Sequence, residues 1–200
     1  MRKLLAILVI AAVAIGIWWM FFKDKSHNDG PKQQPLKVGK HSSEFNQSIS
    51  NVVTEYLSLK NAFVNADTAK IKEQEKKLSI VIDSMKIDEL KKDTTGIFQS
   101  AQLLIGDIKS NADAILKETD ITEMRQDFRM VSENLFPLLK TIHYEGAKLY
   151  WQNCPMAFGE GKDASWISNT EEIFNPYLGK NHPEFKGTML HCGEIKDTIQ

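Results

Sequence analysis

The sequence predicts an all-α protein: an antiparallel four-helix bundle with a C-terminal irregular, Gly/Pro-rich Cys/Met module, behind an N-terminal transmembrane helix. Three observations carry this expectation. Leu4 to Phe22 holds no charged residue, apolar residues between Phe45 and Ile142 recur every three or four positions in four separate segments, and the texture changes from Gly146 onward. A repeat of three to four is the mark of a helix that buries one face.

The first segment, residues 1–25, is expected to anchor the chain. At about 1.5 Å per residue, the uncharged run reaches roughly the 30 Å of a bilayer's hydrocarbon core. A cleaved signal peptide is the competing reading, since Arg2 and Lys3 make a basic start and Ala12-Val13-Ala14 resembles a cleavage site. The uncleaved anchor is preferred because the run continues past that point to Trp18-Trp19, a pair suited to the membrane interface. Lys23 and Lys25 are partly offset by Asp24, so the positive-inside bias points the bulk of the chain outward only slightly. Beyond residue 25 the chain carries 21 basic against 25 acidic residues, a balance that argues against a nucleic-acid partner.

Residues 26–41 contain Gly30-Pro31, Pro35 and Gly39 among polar residues without an apolar period, the composition of a flexible tether. The bundle is assigned to residues 42–146. Its first helix carries Phe45, Ile49, Val52, Tyr56, Leu59 and Phe63 on one face. The second follows Asp67 as N-cap, with Ile71, Leu78, Val81 and Met85 inward and a Lys/Glu-rich outer face. A third, beginning near Asp93, carries Ile97, Ala101, Leu104, Ile108, Ala112 and Ile115. The fourth opens on Asp120 with Glu123 three residues on, a capping-box variant, then Met124, Phe128, Val131, Leu135, Leu138 and Ile142. Pro137 is expected to kink it. Short polar connections make the up-down-up-down packing the simplest way to bury all four stripes.

Residues 147–200 form the Cys/Met module. From Gly146 on fall six of eleven glycines, three of six prolines and both cysteines. Tyr150-Trp151 and Ser165-Trp166-Ile167 are candidates for short strands, interrupted by Cys154-Pro155 and Asn175-Pro176. Asn175-Pro176-Tyr177 reads as a turn in which Asn175 caps local backbone.

The candidate chemistry lies in Cys154-Pro155-Met156 and Met189-Leu190-His191-Cys192. Two thiols and two thioethers are soft ligands of the kind that select Cu(I), with His191 beside the second thiol. A Cys154–Cys192 disulfide is the alternative, and for this loop length it stabilises by roughly 4 kcal/mol. The chain has no CxxC pair for zinc. Trp151 and Trp166 are assigned to packing, and His143 and His182 are not counted as ligands. No Ser/His/Asp ordering, phosphate loop or paired carboxylate suggests an enzyme.

Cys154-Pro155-Met156-Ala157, Trp166-Ile167-Ser168, Asn175-Pro176-Tyr177 with Gly179, and Met189-Leu190-His191-Cys192-Gly193 resemble the bacterial domain of unknown function 3347, as does Tyr56-Leu57-Ser58-Leu59-Lys60-Asn61-Ala62. The resemblance runs over about residues 45–197. It implies an extracytoplasmic protein at the inner membrane, bound to Cu(I) or another soft heavy metal through Cys154, Met156, Met189, Cys192 and His191. Its implied partner is a heavy-metal efflux or copper-handling complex. The metal and disulfide readings both stay open.

Overall fold

The computed structural model describes residues 40–199, so the anchor, its cleaved-signal alternative and the tether up to residue 39 lie outside the described residues. Among the described residues, no helix is long and apolar enough to cross a membrane.

Helix α1, Ser43–Asn65, starts where the Ser42 side chain accepts the Phe45 N–H, and ends at Ala66 with a left-handed φ of 52°. All six residues of its expected face are buried. Helix α2, Thr68–Asp83, is capped by Asp67, which accepts from the Lys70 N–H. Ile71 and Leu78 are buried as expected, whereas Ile82 takes the core position expected of Val81 and Met85, which stay half-buried. A 3-10 turn, Asp88–Lys92, follows.

Helix α3, Ile97–Lys117, begins not at Asp93 but at Gly96, whose φ of 89° suits glycine. Asp93 instead accepts the Thr95 N–H in the preceding turn. Helix α4, Ile121–Thr141, is capped by Asp120, which accepts from both the Thr122 and Glu123 N–H groups. It runs on past Pro137 to Thr141.

Pairing of side chains fixes the antiparallel order. Ser79 meets Asp113 while Asp83 meets Lys109, so α2 and α3 run oppositely. Phe63 lies over Phe128 and Tyr56 over Ser132, so α1 and α4 do the same. Four helices in this order make the expected bundle.

The C-terminal part departs from the expected all-α, irregular module. Strands β1, Leu149–Cys154, β2, Ala164–Ser168, and β3, Glu194–Ile199, form an antiparallel sheet in the order β2-β1-β3. The first two contain the short apolar runs noted above. The third was not legible because it is exposed at every residue but Ile199 and so lacks the alternation that a half-buried strand displays. A register shift opposite Trp151 and Gln152 marks a bulge in its pairing.

Strand β2 is buried throughout and packs on α4 and α1. Helix and sheet residues share a continuous core. The Tyr56 hydroxyl joins them: it lies 2.6 Å from the Ser132 hydroxyl and accepts the Ile167 N–H at 3.1 Å.

Candidate functional site

The two cysteines arrive by different routes. Cys154 ends the central strand opposite Ala164 and is fully buried, so its position is set by backbone pairing. Cys192 closes a turn in which its N–H donates to the Met189 carbonyl at 3.0 Å, the short step that the three-residue spacing suggested.

Two features press that turn against the sheet. Gly193 has a φ of 145°, and a Cβ there would meet the Asn153 carbonyl oxygen at 2.9 Å and the Trp166 ring at 3.0 Å. Only glycine lets the chain pass so close to β1. Asn175 donates from Nδ2 to the Cys192 carbonyl at 2.8 Å, while its Oδ1 accepts the Tyr177 and Leu178 N–H groups. The Asn-Pro-Tyr turn thus holds its own bend and the cysteine loop together.

The outcome is a sulfur–sulfur separation of 2.6 Å between Cys154 and Cys192, both free thiols. Burial, then the neighbouring Cys154, pushes the Cys192 thiol up to about 12. It is therefore protonated at neutral pH and is no activated nucleophile.

The remaining candidate ligands are Met189, Met156 and His191. Met189 is half-buried and tied to Cys192 through its carbonyl. Met156, also half-buried, lines a cavity of about 720 Å³. His191 is exposed, its ring tilted against Phe174 at 5.5 Å with Nδ1 placed 2.8 Å from the Ile173 carbonyl. A carbonyl only accepts, so Nδ1 is the donor in that contact. Among the described residues, no three His, Cys, Asp or Glu side chains are grouped to hold a metal ion. The sulfur pair is what folding brings together.

Three buried charged side chains escaped the sequence reading. Arg125 is 2 % exposed, Glu75 is fully buried, and Lys60 is 3 % exposed. Arg125 carried a usable signal, since it stands three residues before Phe128 on the inward face of α4. Burial lowers the Lys60 ammonium to about 8.

Residues 52–146 match the model of a family described as a protein of unknown function, DUF3347, just under half of the chain. The match supports the DUF3347 family over the helical part, and the cysteine module lies beyond the matched span. No curated protein and no solved structure matches significantly.

Proposed function

We propose that this chain is a membrane-tethered, extracytoplasmic metal-handling protein in which Cys154 and Cys192, once reduced and deprotonated, bind Cu(I) or another soft heavy metal for delivery, storage or efflux. The observation that carries this reading is the convergence of two thiols 38 residues apart, one fixed in a strand and one on a partly exposed turn. Thiolates select soft ions, and a partly exposed ligand lets a partner exchange the ion away. With metal–thiolate bonds near 2.3 Å in zinc sites, an ion between the sulfurs requires them to part, and the partly exposed Cys192 is the side with room to move. Met156 and Met189 are the nearest reserve of soft donors in sequence. Binding displaces the Cys192 proton, so uptake strengthens as pH rises.

The 2.6 Å contact favours a second reading, a disulfide staple in a domain whose role is to dock a partner. An S–S bond of about 2.05 Å needs only a small further approach.

Counting free thiols in the full-length protein from an oxidising compartment, then titrating the reduced protein with Cu(I) against a competing chelator, separates the two. The metal reading expects uptake of one ion per cysteine pair, lost in Cys154→Ser and Cys192→Ser. A quantitative disulfide combined with no uptake after reduction leaves the staple. Replacing Met156 and Met189 by Leu keeps volume and removes the donors, so weakened copper uptake assigns the thioethers as ligands.

A further inference from the structure

A second candidate site is a cavity that neither Cys154 nor Cys192 lines. The first turns of α4, the β1–β2 connection and the segment 177–185 enclose the 720 Å³ cavity, within the size range of small-molecule pockets. Arg125 lines it and is 2 % exposed. Its Nε donates to the Pro176 carbonyl at 3.2 Å, its Nη2 is buried without a hydrogen-bond partner, and no carboxylate among the described residues forms a salt bridge with it. Burial lowers this guanidinium to about 10, which still leaves it cationic at neutral pH.

Asp120 attracts this charge without touching it, and a buried cation with no carboxylate in contact is expensive, a cost that an anion from outside lowers. Around the charge the walls are apolar: Met156, Phe158, Tyr177 and Phe185 line the cavity, with the Phe158 and Tyr177 rings 5.3 Å apart. Glu160 and Glu184 also line it, and His182 is held below its usual range by burial and by Arg125. Glu160 and Glu184 are exposed, so water screens their repulsion of an entering anion, and that repulsion grows with the charge the anion carries.

We propose that this cavity binds a small organic monocarboxylate with an apolar or aromatic body, its carboxylate on the Arg125 guanidinium and its body against the apolar walls. Guanidinium and carboxylate groups match through charge-assisted N–H···O bonds, and Nη2 is the Arg125 nitrogen that is buried without a partner.

The test uses the full-length protein in detergent, following the Arg125 side-chain N–H resonance while acetate, hexanoate, phenylacetate, phenylacetamide or inorganic phosphate is added. Affinity is expected to rise from acetate through hexanoate to phenylacetate, with the last saturating below about 1 mM. Phenylacetamide and phosphate are expected to bind at least about tenfold more weakly than phenylacetate, a difference of about 1.4 kcal/mol. Arg125→Met is expected to lose binding while the unliganded protein melts no lower, because a buried charge with no carboxylate in contact has been removed. Equal binding of the amide, preferred binding of phosphate, no saturable shift with any carboxylate, or undiminished binding by folded Arg125→Met each overturns the proposal. If that variant does not fold, the ligand series on the unaltered protein decides.

Discussion

Glu75 shows how a single side chain stores a conflict. Its Oε1 accepts the Ser79 hydroxyl at 2.6 Å, its Oε2 is buried with no hydrogen-bond partner, and Asp113 lies close enough to repel it. Burial, the largest influence, raises its carboxyl above the usual range. The folded state therefore binds more protons than the unfolded chain just above that range, and the stability present at low pH is lost as pH rises through the raised value. Glu75→Gln is expected to stabilise the protein by about 1 kcal/mol at neutral pH, since it removes a charge that has no second partner. Urea unfolding measures the gain, which should vanish below about pH 4, where the carboxyl is neutral in both states.

At the scale of the element, the turn before β3 carries the site. The Met189 carbonyl closes it, Asn175 holds its far side, and Gly193 delivers it to β1. Gly193→Ala places a methyl group on a backbone conformation that L-residues rarely adopt and drives it into the Asn153 carbonyl. The expected cost is about 1–3 kcal/mol in urea unfolding. Displacing Cys192 should also slow closure of the disulfide when a mild oxidant is added to the reduced protein, a rate read by thiol counting. Unchanged stability together with an unchanged rate would show that the turn tolerates the methyl group and does not position the thiol.

Over the whole molecule, the bundle and the sheet act through a common core. Tyr56 lies between Ser132 and Ile167, Phe128 meets Tyr56, Phe63 and Tyr177, and Tyr177 donates its hydroxyl proton to the Ser165 carbonyl at 2.7 Å. Opening the sheet exposes part of the helical core, so the two parts should unfold together. Native-state hydrogen exchange checks this. Amides in the middle of α4 and the Ile167 amide should open with free energies within about 1 kcal/mol of each other, whereas much earlier opening of Ile167 would make the sheet a separate cooperative unit.

The sequence by itself determined the helical bundle. The inward faces of α1 and α4 and the caps at Asp67 and Asp120 follow from a period and from side-chain chemistry expressed within a few residues. It also singled out Cys154, Cys192 and the Asn175 turn, because cysteine and Asn-Pro carry distinctive chemistry wherever they occur. What tertiary structure decided is where distant residues meet. The start of α3 moved from Asp93 to Gly96 through a positive φ, and β3 became a strand through hydrogen bonds to β1 that its exposed residues do not advertise. Arg125 became a buried charge with an unpartnered Nη2 only once the fold set it beside the β1–β2 connection and the segment 177–185. Thirty-eight residues separate Cys154 from Cys192 in the chain, and only strand pairing together with the Gly193 approach reduces that separation to a sulfur contact. Local periodicity is written residue by residue, whereas the meeting of two sulfurs depends on a core assembled from every element at once.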